Sequence, residues 1–439
     1  VNHPLDCPIC DQAGECKLQD YAFEYGVPHS RTQEPRRAAK KRVDLGPTIL
    51  FDQERCILCR RCVRFCREVP GTSELAVFAR GDHSVIETFP EMPLSNDYSM
   101  NVADICPVGA LTTKDFRFKI RVWFLEDVPG VCTGCSNGCN VFLGVANNRV
   151  YRYTPRRNDA VNQTWLCDEG RLSYKRSNAD DRIDHAAVRN ADGNHVAAPY
   201  ETALETAAAR IRRVIETKGA GAVGMLVSPH ATNEDLAVAR RFLDALGSTQ
   251  AGFALVRGRK DELLIQEEKA ANAAGARAQG FEDAAPLLER VRGGAVEALL
   301  VMGHDVLAPA YESGREALEG VDTLVLLDTH RAQLEALAHV VLPVRHAAEK
   351  HGTLTNVAGL VQAVQPAGPP DFEARAQAAG SWRLSQLARP PRRGGRGGAR
   401  SATRRGRRWR RAATSRGSSR SRHRLRGSGG GLDPGGDGG

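Results

Sequence analysis

All twelve cysteines of this 439-residue chain lie between Cys7 and Cys167, and the 272 residues that follow contain none. Several of them are separated by two intervening residues, as Cys7 and Cys10 are. A disulfide-bonded secreted protein spreads its cysteines through a short chain, whereas metal sites group them in close runs. The pattern therefore predicts metal sites in a reducing compartment, around which the amino-terminal part of the chain must fold.

The first group of candidate ligands is His3, Cys7, Cys10 and Cys16, separated by three, two and five residues. Iron–sulfur clusters need thiolates that converge from a loop, and a two-residue spacing lets both sulfurs reach one cluster. Either His3 supplies the fourth ligand through an imidazole nitrogen, or it is an ordinary terminal residue and a distant cysteine completes the site. Zinc is disfavoured because no second cysteine pair nearby would close a tetrahedron.

The second group has Cys56, Cys59, Cys62 and Cys66 in a tight run, with Cys106 in a Cys-Pro sequence 40 residues later. Bacterial ferredoxins use this arrangement, in which three close thiolates bind three irons and a remote cysteine binds the fourth. The sequence offers no second cysteine triplet for another such cluster. We therefore assign Cys56, Cys59, Cys62 and Cys106 to one cluster and predict Cys66 to be a buried, neutral thiol.

The third group consists of Cys132, Cys135, Cys139 and Cys167. Four thiolates suit either a 4Fe–4S cluster or a structural zinc ion, but zinc sites prefer two symmetric pairs of cysteines. The uneven spacing, with two and then three intervening residues, favours an iron–sulfur cluster. The segment 120–125 before this group is rich in β-branched and aromatic residues, which predicts a strand.

From about residue 200 the sequence alternates between helical and strand patterns, which predicts a doubly wound parallel sheet. Two strands end in the polar loops 303–305 and 328–330, where this fold usually binds a ligand. Asn233 is expected to cap the second helix, with Asp235 in its first turn. The predicted helices are 203–215 and 233–246, and the predicted strands are 222–227, 296–302 and 321–327.

The net charge of +9 comes entirely from the carboxy-terminal segment, which has fifteen arginines between Arg392 and Arg426. Without residues 392–439 the chain carries a charge of −4, which disfavours a nucleic-acid-binding body. Residues 380–439 lack apolar periodicity and are predicted to be disordered. They are either a flexible basic tail or the product of a frameshift, and the abrupt change in composition favours the frameshift.

No run of about 18 apolar residues predicts a membrane span. The chain begins inside the first ligand motif, so we interpret it as an amino-terminally truncated fragment. The expected divisions are a cysteine segment at 1–55, a ferredoxin-like domain at 56–115, a further 4Fe–4S domain at 117–175, an α/β domain at 176–379 and the tail at 380–439.

Several stretches together carry a family resemblance: residues 3–20, residues 55–65, residues 104–111, the four cysteines of the third group, and Gly352-Thr353-Leu354-Thr355-Asn356 with Val361-Gln362. They resemble the large iron–sulfur subunit of NADH:quinone oxidoreductase, which is respiratory complex I. The resemblance implies that His3 is a ligand, and that the third cluster is of a kind found only in some bacterial members. It also implies a molybdopterin-oxidoreductase type of α/β domain without bound molybdenum.

In this family, hydride oxidation takes place on a flavin in another subunit, so the resemblance implies a relay of single electrons towards quinone, with no catalytic residue in this chain. It implies three 4Fe–4S clusters here and a 2Fe–2S cluster in an amino-terminal domain that is missing. The expected partners are the flavin-bearing subunit and other peripheral-arm subunits. The expected location is the cytoplasmic side of the bacterial inner membrane, reached only through the complex.

Three alternative functions remain open. A molybdenum-dependent formate dehydrogenase needs a cysteine or selenocysteine from its α/β domain, but no cysteine follows Cys167. The corresponding subunit of an NAD-reducing hydrogenase usually stops after the ferredoxin-type region, whereas this chain continues. A zinc-bearing scaffold or nucleic-acid module would be colourless, whereas three iron–sulfur clusters would make the protein brown.

Overall fold

The structure of the chain is a computed structural model that describes residues 3–4, 6–27, 29, 31–35, 38–303, 318, 320–370, 372–374 and 377–388. All of these residues belong to one structural unit. No helix in these ranges is both long enough and apolar enough to span a bilayer.

The amino-terminal part combines short helices with two small antiparallel sheets. Strand β2 is central in the first sheet and pairs with β1 and β5, whereas β3 and β4 form a hairpin. Ile49 and Phe51 of β2 are buried because alternate residues of a strand face the same side. The elements are α1 (Cys7–Cys10), α2 (Lys17–Tyr25), β1 (Val43–Asp44), β2 (Ile49–Phe51), a 3₁₀ turn (Gln53–Arg55), α3 (Arg61–Glu68), β3 (Leu75–Phe78), a 3₁₀ turn (Gly81–His83), β4 (Val85–Thr88), α4 (Asn101–Ile105) and β5 (Leu111–Thr113).

The next part is an antiparallel meander in which β7 pairs with both β6 and β8. The prediction of a strand at 120–125 is wrong, because this segment contains a 3₁₀ turn and the strand begins only at Glu126. The side chains of Val122 and Trp123 pack beside Gly14 of the first cysteine segment instead of entering the sheet. The elements are the turn Val122–Phe124, β6 (Glu126–Val131), β7 (Asn140–Ala146), β8 (Arg149–Pro155), α5 (Asp168–Leu172) and the turn Ser173–Asn178.

The largest sheet has the strand order β10-β9-β15-β14-β13-β11-β12. The five strands from β15 to β12 are parallel, and β9 and β10 add an antiparallel edge. Every residue of β11, β13 and β14 is buried, as expected for central strands covered on both faces. The strands are β9 (Ala187–Arg189), β10 (His195–Ala197), β11 (Val223–Val227), β12 (Gln250–Phe253), β13 (Ala298–Met302), β14 (Thr323–Asp328) and β15 (Val340–Pro343).

The three strands predicted from apolar runs are thus confirmed as β11, β13 and β14, and the doubly wound parallel sheet is confirmed with them. A separate hairpin, β16 and β17, follows the large sheet. The remaining elements are α6 (Tyr200–Lys218), the turn Ala220–Ala222, α7 (Asn233–Leu246), α8 (Ala273–Ala278), α9 (Ala285–Arg292), the turns Gln333–Leu337 and Ala347–Glu349, β16 (Gly352–Thr355), β17 (Val361–Val364) and α10 (Gln377–Ala388).

The two predicted helices are present as α6 and α7. Helix α7 begins at Asn233, but its cap is Thr232, whose hydroxyl accepts a hydrogen bond from the Asp235 backbone N–H in a capping box. The Asp235 carboxylate also forms a buried ion pair with Lys350, with 2.7 Å between Oδ2 and Nζ. This ion pair connects the start of α7 to the segment just before β16.

Helix α10 crosses the boundary that the sequence placed at residue 380. Leu384 and Ala388 are buried in the core formed by α6, α7 and one face of the large sheet. The prediction of disorder is therefore wrong for residues 380–388, because tertiary contacts supply the burial that the local sequence lacks. The rest of the predicted tail, residues 389–439, lies outside the described residues.

One of the two polar loops predicted at a ligand-binding edge is described in full. His330 is buried, with its Nδ1 2.7 Å from Thr329 Oγ1 and its Nε2 2.8 Å from the Arg176 carbonyl oxygen. Both ring nitrogens therefore bond within the protein, which favours a structural role for this histidine. Of the other loop, only Gly303 lies among the described residues.

We expect Leu384→Ala to lower the free energy of unfolding by about 2–5 kcal/mol, because it removes a fully buried side chain from the α6–α7 core. Denaturant titration of the full chain measures this change. Arg383→Ala, at an exposed position of the same helix, is the control and should change stability by less than about 0.5 kcal/mol. Equal effects of the two substitutions would contradict the packing of α10.

Burial lowers the pKa of His330 to about 4, and the charges of Arg176 and Arg182 contribute. Since the unfolded state then binds the proton more readily, this histidine contributes stability above pH 6.5 that is lost as the pH falls towards 4. The loss amounts to roughly 2 kcal/mol between pH 6.5 and 5. Asp328, whose pKa burial raises to about 6, acts in the opposite sense over the same interval.

The measurement is therefore the difference between two titrations. Denaturant unfolding of the original chain and of His330→Gln is compared from pH 8 to pH 5, so that the contribution of Asp328 cancels. The destabilisation caused by the substitution should shrink on acidification. A difference that is independent of pH would show that the pKa of His330 is the same in the folded and the unfolded chain.

Candidate metal centres

The first cysteine segment forms a tight turn around short helix α1. Asp11 ends this helix in a left-handed conformation, with φ of 64°, and so redirects the chain towards Cys16 at the start of α2. Cys10 and Cys16 are buried, and Cys7 is half-buried. Burial raises the pKa of Cys10, and the nearby Cys16 and Cys7 thiols add to this rise. The three sulfurs predicted for one site therefore lie close enough to interact.

His3 is described as half-buried, just before this turn. Its neighbours Val1, Asn2 and Leu5 lie outside the described residues. The ligand role of His3 therefore stays a prediction.

The second group forms one small cavity. Cys56, Cys59, Cys62 and Cys106 all line it, although they come from the loop after β2, the start of α3 and the end of α4. Its remaining walls are mostly apolar: Phe51, Ile57, Ile86, Val108, Ala110 and Leu111, with Arg61. Four thiols converging on an apolar cavity are the donor set that a 4Fe–4S cluster requires.

The loop from Cys56 to Cys62 has an unusual backbone. Leu58 and Arg60 adopt left-handed conformations with φ of 53° and 60°, which non-glycine residues rarely do. The Leu58 N–H thereby points at Cys56 Sγ, with 3.4 Å between nitrogen and sulfur. Such strained residues persist where the surrounding structure requires the loop shape, which here directs the Leu58 amide hydrogen at the Cys56 sulfur.

Cys66 is placed differently from the four cysteines of the cavity. It is completely buried, at 0% exposure, on the inner face of α3 with Phe65, and it does not line the cavity. Burial raises the pKa of its thiol to about 12, and the neighbouring charge is that of Glu74 and not of another cysteine. This geometry supports the prediction of a neutral buried thiol.

The third group is the most enclosed, since all four of its cysteines are buried. Cys132 and Cys139 flank the turn between β6 and β7, and the Cys132 N–H donates to the Cys139 carbonyl oxygen over 2.8 Å. Cys167 reaches the same place from the start of α5. The charges of Cys132, Cys135 and Cys167 all act on the Cys139 thiol, so the four predicted ligands lie together.

Hydrogen-bond donors surround these sulfurs. The backbone N–H of Gly134 donates to Cys132 Sγ over 3.5 Å, and that of Gly170 donates to Cys167 Sγ over 3.3 Å. A side chain at Gly170 would place its Cβ 3.0 Å from two of the sulfurs, so a larger residue there would press against both of them. Such donors favour the ionised thiolate and tune the potential of a bound cluster.

Asn137 is a residue of this site that cysteine spacing alone does not reveal. Its side-chain amide donates to Cys139 Sγ over 3.1 Å, and its backbone carbonyl accepts a hydrogen bond from Asn356 over 3.2 Å. The only signal in the sequence is its position between two predicted ligands. An amide that donates to sulfur orients a ligand without binding the metal itself.

Hairpin β16–β17 covers the same turn from the carboxy-terminal half of the chain. Gln362 donates to the Gly138 carbonyl oxygen over 2.9 Å and accepts from the Asn140 amide. The Val357 N–H donates to the Ser136 carbonyl oxygen over 2.8 Å. The Gly-Thr-Leu-Thr-Asn and Val-Gln elements of the sequence thus hold the third cysteine loop in place.

The first and second groups meet at the segment that follows Cys106. The Pro107 carbonyl oxygen lies 4.0 Å from Cys16 Sγ and accepts the Leu18 N–H over 3.4 Å. A Cβ at Gly109 would lie 2.6 Å from Cys10 Sγ. A single short segment therefore supplies a ligand of the second group and packs against two sulfurs of the first.

Burial is the dominant influence on the thiols of these groups. It raises the pKa of Cys56 to about 11 and that of Cys62 to about 12, with neighbouring cysteines adding to both rises. Keeping several buried thiolates together is therefore unfavourable unless bound cations compensate for their charge. In the part of the chain that the structure describes, no three His, Cys, Asp or Glu side chains surround a position for one metal ion. A cuboidal cluster does not require its ligands to surround one position, because each thiolate binds a different iron.

Four family models match separate parts of the chain. They describe the NADH-ubiquinone oxidoreductase-G iron–sulfur binding region at residues 1–31, the ferredoxin-like domain of NADH-quinone oxidoreductase subunit 3 at 46–112, the molybdopterin oxidoreductase Fe4S4 domain at 125–179 and molybdopterin oxidoreductase at 266–379. The chain therefore contains iron–sulfur-binding domains, including one of the 4Fe–4S type, followed by a domain of the molybdopterin-oxidoreductase type.

Curated relatives carry matching names. An NADH-quinone oxidoreductase subunit of Rickettsia felis is 39% identical over 248 residues, which cover 56% of this chain and 36% of the relative. The mitochondrial NADH dehydrogenase [ubiquinone] iron–sulfur protein 1 of Solanum tuberosum is 36% identical, over 56% of this chain and 33% of the relative. The NADH-quinone oxidoreductase subunit 3 of Thermus thermophilus is 35% identical, over 58% of this chain and 33% of the relative.

The matched region thus spans about a third of the length of these relatives. A solved structure of an NAD⁺-reducing [NiFe]-hydrogenase is 28% identical over 28% of this chain and 53% of its own, with a TM-score of 0.25, which is too low to support an argument. The family models and the curated relatives agree with the three cysteine groups described above. Over these matched regions the chain is similar to the large iron–sulfur subunit of NADH-quinone oxidoreductase.

Proposed function

We propose that this chain is an electron-relay subunit of NADH:quinone oxidoreductase and passes single electrons from a flavin-bearing subunit towards quinone. The observation that carries the proposal is that three sets of thiols lie at three separate places in the fold, each set with its members close together. The names of the curated relatives support the choice of enzyme.

The proposed ligands form three sets of four. The first set combines a histidine with three cysteines, and the other two contain only cysteines. The sets are His3, Cys7, Cys10 and Cys16; Cys56, Cys59, Cys62 and Cys106; and Cys132, Cys135, Cys139 and Cys167. Each 4Fe–4S cluster, when bound, accepts and releases one electron at a time.

The residues of the chain have three tasks in this function. The cysteines hold the irons as thiolates, and the amide donors at Leu58, Gly134 and Gly170 favour that ionised form. Apolar walls such as Phe51 and Leu111 limit the access of water to the inner side of the second site, whose Cys59 is exposed. The segment after Cys106 keeps the first and second sites in contact, which supports electron transfer between them.

The third site differs in its surroundings, since hairpin β16–β17 and the turn between β6 and β7 enclose it. Its connection to the α/β domain supports a structural role at least as well as a place on the main electron path. We further propose that the α/β domain binds no molybdenum; the lack of a cysteine after Cys167 supports this by excluding thiolate ligation from that domain.

The proposed partners are the flavin-bearing, NADH-oxidising subunit and other peripheral-arm subunits of the complex, and the chain would reach quinone and membrane only through them. The proposed location is peripheral, on the cytoplasmic side of the bacterial inner membrane. A 2Fe–2S cluster is proposed for an amino-terminal domain outside the present sequence. The names of relatives as subunits of a larger enzyme support the proposal that the chain has partner subunits.

Anaerobic reconstitution of the full chain should yield about twelve irons per chain, four for each cluster. Metal analysis of the brown protein, together with low-temperature electron paramagnetic resonance of its reduced form, measures the number of clusters. About eight irons would show that one of the three sets fails. Stoichiometric zinc in a colourless protein would contradict the proposed function altogether.

Cys135→Ser should reduce the iron content by about four, because it removes a ligand of the third site. The matched control is Cys66→Ser, which also changes a buried cysteine, but one that does not line the second cavity. We expect no loss of iron from this control variant. A loss of about four irons from Cys66→Ser would show that Cys66, and not one of the four assigned cysteines, binds the second cluster.

A further inference from the structure

Arg55 is a buried cation directly before the second set of ligands. It ends the 3₁₀ turn Gln53–Arg55 and precedes Cys56, and only 1% of it is exposed. A guanidinium group in such a place is strongly unfavourable unless acceptors surround it. Its position therefore requires partners, and these partners connect two of the proposed sites.

Two carboxylates hold the guanidinium group. Nε of Arg55 donates to Asp52 Oδ2 over 2.9 Å, and Nη2 donates to Asp6 Oδ1 over 2.7 Å. Asp6 directly precedes Cys7, the first cysteine of the first site. Arg55 thus joins the segment before one set of ligands to the segment before the next.

The third nitrogen of the guanidinium group is different. Nη1 is buried, and among the described residues no hydrogen-bond acceptor lies within its reach. The charge of Arg55 acts on the Cys10 thiol, where it opposes the rise in pKa that burial causes. The hydrogen bond to Asp6 and the charge of Cys10 in turn raise the pKa of Arg55 against the effect of burial. The group therefore remains charged and lies close to the first site.

We propose that Arg55 is a positioning and tuning residue of the first site, and that its Nη1 donates a hydrogen bond to a sulfur atom there when the cluster is bound. This inference rests on the proposed function, because it requires a cluster on Cys7, Cys10 and Cys16. A fixed positive charge and a hydrogen bond to sulfur both stabilise the reduced form, which carries one more negative charge. Arg55 therefore raises the reduction potential of the first cluster.

The test compares Arg55→Met, which removes charge and donors, with Arg55→Lys, which keeps the charge but cannot bond both carboxylates and a sulfur. Each full-length variant is reconstituted, its iron is counted, and its clusters are titrated by electron paramagnetic resonance at controlled potential. The signal of the first cluster is the one that Cys10→Ser abolishes. Arg182→Met is the matched control, since Arg182 is a largely buried arginine that bonds both oxygens of Glu349 in the α/β domain.

We expect Arg55→Met to lower the equilibrium constant for one-electron reduction of the first cluster at least tenfold. This change corresponds to a fall of 59 mV in its reduction potential. Arg55→Lys should lower it less, and the third cluster should not change in either variant. Arg182→Met should leave the first potential at its original value.

An unchanged first potential in Arg55→Met would overturn the proposal, as would an equal shift of all three clusters. Arg55→Met could lose the first cluster altogether. In that case the proposal would be overturned if the first cluster of Arg55→Lys kept the potential of the original chain. Loss of the first cluster from both variants would also overturn it, by showing that Arg55 only holds the segments together. Fewer than three signals in the original chain would instead count against the proposed function.

Discussion

The structure depends on the cost of burying ionisable thiols next to one another. Burial raises the pKa of cysteines in all three groups, and neighbouring thiols raise several of them further. The protein offsets part of this cost with amide donors and with the buried charge of Arg55. In the proposed clusters bound iron would offset the remainder, so folding of the amino-terminal half is expected to be coupled to cluster binding.

The α/β domain is stabilised mainly by apolar packing. Its central strands are buried on both faces and rely on apolar packing, with helices α6, α7 and α10 on one side. The two halves are nevertheless connected, because hairpin β16–β17 bonds to the turn that carries Cys135 and Cys139. The third site is therefore as much a part of the α/β domain as of the iron–sulfur part.

The sequence predicts the features that repeat at short range. The ligand groups follow from cysteine spacing, and β11, β13 and β14 follow from continuous apolar runs. Strand β12 lies at the sheet edge and has no such run, and α10 is helical because distant helices cover Leu384. Asn137 and Arg55 likewise act through partners that only the fold brings near, so no local pattern reveals them.

The hydrogen bonds between Asn356 and Asn137 and between Gln362 and Gly138 join residues more than 200 positions apart. When the ribosome has added Cys167, the last cysteine of the third group, it must still synthesise most of the α/β domain before this hairpin emerges. During that interval the cysteine loop lacks its cover and is open to oxidants and to competing metals. The order of synthesis thus leaves this loop without its cover until residues 352–364 have been made and folded.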